Sequence, residues 1–245
     1  MKKKLNRFKE SFSPNFSARK KKIKFIIIHY TGMENLNETL KLFNSTKSKV
    51  SCHWLISRRG TLYKIVEESK VAWHAGASFW KEEKNLNSSS IGIELENQGH
   101  GKKYRSFTNS QLLTLERLIK RIIVQYKLNI INILGHSDIA PHRKLDPGEL
   151  FDWERLAKKK LALWPKIQKK TKIKSLLQIG EKSEDVIRIK KKLREIGYKC
   201  SNNNTYDLSL KLVIEAFQRR FLPERINGII DEKVYSRINV VAKNT

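Results

Sequence analysis

Six histidines, His29, His53, His74, His100, His136 and His142, are the first residues in this chain that could do chemistry. Two of them stand out by position. His29 closes the apolar run Phe25-Ile26-Ile27-Ile28, and His136 follows Ile131-Asn132-Ile133-Leu134-Gly135. Histidines at strand ends point into the cleft where sheets carry their sites. A catalytic zinc needs three protein ligands and an open position for water, and two imidazoles with one carboxylate meet that need. The loop after His136 offers Asp138, His142 and Asp146 as the third ligand, and spacing does not choose among them. Hydrolysis also needs a carboxylate to take a proton from water, for which Glu94 and Glu96 are candidates. A cation must meet the developing oxyanion, and Lys144 or Arg143 can supply it.

These groups need elements to hold them. The β-branched run Lys24 to His29 predicts a buried strand. Asn37 to Phe43 is a short helix candidate. Cys52 to Ser57 and Thr61 to Val66 flank Arg58-Arg59-Gly60 and read as a hairpin. Ser90 to Glu96 alternates as a strand, with Glu94 and Glu96 on one face and Ile91, Ile93 and Leu95 on the other. Thr108 caps a helix whose Leu112, Leu115, Leu118, Ile119, Ile122 and Ile123 fall at helical spacing. Asn129 to Leu134 is a further strand, and Asp152 opens a helix to about Leu163. Strands alternating with helices predict an α/β fold, a mixed central sheet flanked by helices.

Domain limits follow from composition. Residues 1–22 are polar and basic and read as a flexible leader. The α/β unit spans 23–165, and the basic stretch 166–174 reads as a linker. Beyond it, 175–242 carries three short amphipathic stretches: Val186, Ile189, Leu193 and Ile196; then Leu208, Leu212, Val213, Ala216 and Phe217; then Glu232 to Ile238. They predict a small all-α three-helix C-terminal domain.

Charge and cysteine count bound the function class. Lysine and arginine number 51 against 24 acids, a formal charge of +27 that favours anionic partners. No nucleic-acid motif such as a zinc finger or an RNP signature is present. Two distant cysteines, Cys52 and Cys200, make neither a disulfide framework nor a thiolate zinc cluster. No apolar stretch is long enough to span a bilayer, and no apolar run follows Met1-Lys2-Lys3-Lys4 as a secretory signal requires.

Five segments together resemble the type 2 N-acetylmuramoyl-L-alanine amidases of peptidoglycan turnover, relatives of the peptidoglycan recognition proteins. They are Ile28-His29-Tyr30-Thr31, Ser51 to Ile56, Ala72-Trp73-His74-Ala75-Gly76, Ser90 to Asn97, and His136 to Gly148 with its Arg-Lys-x-Asp-Pro-Gly ending. The resemblance covers about residues 23–165. It implies one zinc ion per chain, held by His29, His136 and Asp146. It implies Glu94 as general base and Lys144 as the oxyanion cation, with His74, Asn97 and Arg143 at the substrate. His142 stands where relatives carry another polar residue and is expected to be an exposed loop histidine. The implied reaction is hydrolysis of the amide between N-acetylmuramic acid and L-alanine in peptidoglycan or muropeptides. The alternative is a recognition protein that binds peptidoglycan without cutting it; such relatives lose a metal ligand, and none of the three is missing here. The C-terminal segment resembles the small three-helix peptidoglycan-binding domain through Val186 to Tyr198, Ala216 to Phe221 and Asn227 to Asp231. Asn227 replaces that domain's usual aspartate. A wall-binding module points to the cell envelope, and the missing signal to the cytoplasm; the envelope is the expectation.

Overall fold

Strand β3, Phe25–Tyr30, is buried along nearly its whole length because it lies inside a six-stranded mixed sheet. The computed structural model describes residues 8–166 and 176–245. The expected leader lies outside these through residue 7, and the expected linker from 167 on. The other elements are β1 (Lys9–Glu10), β2 (Phe16–Ala18), α1 (Leu36–Asn44), β4 (Trp54–Ile56), β5 (Leu62–Lys64), β6 (Lys70–Ala72), β7 (Phe79–Trp80), β8 (Glu83–Lys84), β9 (Ser90–Leu95), α2 (Asn109–Tyr126), β10 (Ile133–Gly135), α3 (His136–Ile139), α4 (Trp153–Lys158), α5 (Glu184–Ile196), α6 (Leu208–Phe221) and α7 (Glu232–Ala242). The sheet order is β1-β5-β4-β9-β3-β10, in which only the β4–β5 hairpin is antiparallel.

Alternation along β3 divides the protein into two layers. Ile26 and Ile28 face α2, in one core with Ile91, Ile93, Leu95, Leu115 and Ile119. Phe25 and Ile27 face the other way, into a core shared with Val186, Leu193, Val213 and Phe217 of the C-terminal helices. On that second face α1 covers the far side of the sheet, through Leu36, Leu40 and Phe43 against Leu55 and Tyr63. Register places His29, Glu94 and Leu55 side by side across β3, β9 and β4. His29 and Glu94 therefore emerge on the face that is roofed by α1 at one side and by the C-terminal helices at the other.

Three sequence expectations need correction. Residues 8–22 are not a free leader: β1 pairs with β5 and β2 with β6. Asn15 is buried and donates to the carbonyls of Phe43, Ser45 and Val50. Arg19 donates to the carbonyls of Glu68, Lys70, Ser88 and Ser90. Side-chain donors, rather than apolar burial, fix this segment. The last helix of the α/β unit stops at Lys158 because Lys160 turns left-handed, at φ 58°, so that Leu161 can be buried. The C-terminal helices, expected as a separate domain, share the core of the sheet. Tyr198 and Arg220 both reach Asp138 of α3, at 2.7 Å each, and Arg220 also donates to the Ile133 carbonyl.

Two buried ion networks hold this arrangement and make it testable. Glu68 accepts from Trp54 Nε1 at 2.6 Å, from Tyr126 Oη at 2.8 Å and from both terminal nitrogens of Arg121, tying β4 to α2. Burial alone would raise its carboxyl, but these donors more than offset that and hold it below its ordinary value of 4.5. The stabilisation is thus complete above that value and is lost as pH falls through the lower folded pKa. Urea unfolding should show Glu68→Gln less stable by about 2 kcal/mol at pH 7, with the difference shrinking steadily below the ordinary carboxylate range. A gap that stayed constant down to acid pH would refute this. Arg220→Ala leaves the Asp138 carboxylate buried without its counter-ion and should cost about 3–5 kcal/mol by the same assay, with Arg220→Lys recovering part.

Candidate active site

The parallel pairing of β10 with β3 sets Gly135 beside Ile28, so each is followed by a histidine, His29 still on β3 and His136 at the start of α3. The His29 and His136 rings meet edge to face, 4.5 Å between centroids. Asp146 comes from the loop beyond α3, which folds back so that Ser137 N donates to the Asp146 carbonyl at 2.9 Å. Gly135 has no side chain where the Pro147 ring presses in, 2.8 Å from where a Cβ would stand.

These steps converge on three atoms. His29 Nδ1, His136 Nδ1 and Asp146 Oδ2 lie 2.9–3.0 Å from one another. All three residues are buried, and among the described residues they form the group able to hold a metal ion. The donor chemistry fits. Mutual distances near 3 Å are close to the edge of a tetrahedron with bonds of about 2.0–2.1 Å, the nitrogen and oxygen distances of zinc. His136 Nε2 lies 3.1 Å from the Ala75 carbonyl, to which it donates, leaving Nδ1 its lone pair. Burial, and then the neighbouring His136, lowers His29 to about 4, so its ring is neutral at neutral pH, the state a metal would need. Burial alone would raise Asp146, yet the two imidazoles hold it well below the carboxylate range.

A cleft of about 430 Å³ opens over this triad, lined by His74, Glu94, Arg143 and Lys144 among others. Glu94 stands beside His29 in the sheet register, and its Oε2 is buried with no hydrogen-bond partner. Burial, reinforced by the Asp146 charge and opposed by Lys144, pushes Glu94 up to about 8. A buried carboxylate oxygen without a donor is costly unless something else meets it. Glu96, the other acidic candidate, lies past the strand end and accepts from Arg58 N at 2.7 Å, so it serves the hairpin.

The remaining expected residues divide. His74 lies behind His29, its Nδ1 3.0 Å from His29 Nε2, and also borders the cleft. Arg143 borders the cleft while its guanidinium donates to the Ala75 and Ala77 carbonyls. Asn97 is buried and closes a loop, donating to the Arg105 carbonyl at 2.6 Å and accepting from Gly99 N. It is not among the residues lining the cleft. Asp138, open by spacing as a ligand, is engaged by Tyr198 and Arg220. His142 is exposed. Sequence reasoning missed His100, which lines the cleft between Tyr30 Oη, at 3.0 Å, and Glu149. It sits in a glycine-flanked loop with no periodicity to mark it.

Residues 19–149 match the N-acetylmuramoyl-L-alanine amidase family. The chain is 34% identical over 222 residues to N-acetylmuramoyl-L-alanine amidase AmiD of Escherichia coli, covering 86% of this chain and 79% of that protein. It is 43% identical over 108 residues to 1,6-anhydro-N-acetylmuramyl-L-alanine amidase AmpD of Haemophilus influenzae, covering 44% of this chain and 56% of that one. The solved structure of E. coli AmiD in complex with the substrate anhydro-N-acetylmuramic acid-L-Ala-D-γ-Glu-L-Lys superposes with a TM-score of 0.78 at 30% identity, over 91% of this chain and 89% of that one.

Removing one corner of the triad should remove the metal. His29→Ala, dialysed against zinc and then buffer, should fall from about one equivalent to background by elemental analysis, while His142→Ala keeps its metal. Full zinc content in folded His29→Ala would exclude the triad.

Proposed function

The chain belongs to the N-acetylmuramoyl-L-alanine amidase family, and we propose that it works as a zinc enzyme, with one ion on His29, His136 and Asp146, Glu94 as general base and Lys144 as oxyanion cation. It hydrolyses the amide between N-acetylmuramic acid and L-alanine, the reaction for which its relatives are named. The observation that carries the metal assignment is the meeting of three buried ligand atoms beneath an open cleft that also holds an unpartnered carboxylate oxygen.

When bound, zinc supplies Lewis-acid polarisation and makes water acidic enough to ionise near neutral pH. Glu94 does the proton work. Its free Oε2 takes a proton from water as the oxygen bonds to the lactyl carbonyl carbon. Glu94 is raised in part by the Asp146 charge, and a cation held by the triad would offset that charge and favour the ionised form a base requires. The Lys144 ammonium, at the cleft wall, neutralises the carbonyl oxygen as it becomes an oxyanion. When the carbon–nitrogen bond breaks, Glu94 returns the proton to the departing amine of L-alanine.

The substrate class is peptidoglycan or the muropeptides released from it, as the AmiD complex supports. In this reading the stem peptide lies in the cleft past His74 and Arg143, and the C-terminal helices present a second surface to the wall. Its place of action is the cell envelope. No helix among the described residues is long and apolar enough to cross a membrane.

Mass analysis of products from purified sacculi and from soluble anhydromuropeptides, with and without a chelator, tests the reading. Free stem peptide should appear with zinc and vanish with chelator. Glu94→Ala should keep its zinc and lose at least about 10²-fold in rate. Full activity in a folded, zinc-loaded Glu94→Ala protein would refute the base assignment.

A further inference from the structure

His29 can offer its Nδ1 lone pair to a metal only if its proton sits on Nε2. That nitrogen faces another histidine, His74 Nδ1 at 3.0 Å, and not a carbonyl or carboxylate. Two imidazoles fix nothing by themselves, because either can donate to the other. Something beyond His74 must choose.

The choice is made at Ser90. Its Oγ lies 2.6 Å from the Leu86 carbonyl, which can only accept, so the Ser90 hydroxyl proton points there. Ser90 Oγ is then an acceptor toward His74 Nε2, 3.2 Å away. His74 must carry its proton on Nε2, which leaves its Nδ1 as acceptor for His29 Nε2–H. His29 Nδ1 is left with a lone pair aimed at His136 and Asp146. We propose that Ser90 and His74 are positioning residues: a relay running Leu86 carbonyl, Ser90 hydroxyl, His74, His29 sets the tautomer of the ligand before any metal arrives. This rests on the reading of His29 as a zinc ligand.

The surroundings are built for this relay. Ser90, Gly92 and Glu94 alternate on the face of β9 that carries the site. The His74 ring lies directly over Gly92, where a Cβ would come within 2.4 Å of its Cγ. The backbone of the same loop is pinned by Asn87, whose Oδ1 accepts from His74 N at 3.0 Å and Ala75 N at 2.6 Å. Ala75 is the residue whose carbonyl orients His136. One loop, Trp73 to Ala75, therefore orients both imidazole ligands, one through a side chain and one through a carbonyl.

Long-range ¹⁵N–¹H correlation on the full chain, made metal-free by chelation, reads the tautomer directly. The expected spectrum shows His74 protonated on Nε2 with a bare Nδ1; the opposite tautomer overturns the relay, whether or not the protein ever takes zinc. Failure of the wild-type chain to bind zinc would instead sink the metal reading and leave this result standing. Ser90→Ala should weaken zinc affinity about 10–100-fold in a competitive chelator titration, with Ser90→Thr restoring it. Affinity within twofold of wild type in Ser90→Ala overturns the proposal. Should Ser90→Ala fail to fold, the wild-type tautomer decides alone.

Discussion

Three lone-pair donors held about 3 Å apart in a buried pocket repel one another unless a cation or proton lies between them. The rest of the fold can be understood as what keeps that arrangement in place. The parallel pairing of β10 with β3 puts His29 and, just past the end of β10, His136 at the same level, and the loop beyond α3 returns to bring Asp146, ten residues on from His136, between them. No one of the three can move away easily. His29 and His136 are backed by hydrogen bonds at their far nitrogens, and the Asp146 backbone is bonded to Ser137.

The two faces of β3 serve different ends. The α2 face is apolar, and among the described residues it holds none of the triad, nor Glu94 or His74. The opposite face is divided between α1 and the C-terminal helices, and the cleft opens beside α1, whose Thr39, Leu42 and Phe43 line it. The same alternation that buries Ile26 and Ile28 therefore directs His29 into the cleft, and on β9 it directs Glu94 there while Ile93 and Leu95 face α2. A one-residue slip of either strand would exchange site for core.

Much of this was legible in the residues. The apolar runs at β3, β9 and α2 carry strong periodic signals because each buries a whole face, and the observed ends differ from the expected ones by few residues. His29, His136 and Glu94 were visible for the same reason, as polar residues ending or interrupting apolar strands. Asp146 was not legible from spacing, which leaves Asp138 and His142 equally open; the family resemblance singles it out, and the fold adds that Asp138 is engaged by Arg220. Residues 8–22 were misread because their order comes from Asn15 and Arg19 donating to distant carbonyls, which no local pattern records. Ser90 was read as the start of a strand, and its bond to the Leu86 carbonyl depends on the turn just before it.

The C-terminal helices raise a different point about how sequence maps to function. Their amphipathic stripes look self-sufficient, which is why they read as a detached module. Yet Asp138, two residues beyond His136, takes one hydrogen bond from its own strand end at Gly135 N and two from that unit, through Tyr198 and Arg220. The guanidinium also stacks 4.3 Å over the Trp153 ring of the α/β unit. Without the helix that carries Arg220, Asp138 would stay buried without its counter-ion two residues from His136, so the C-terminal helices and the sheet depend on one shared core.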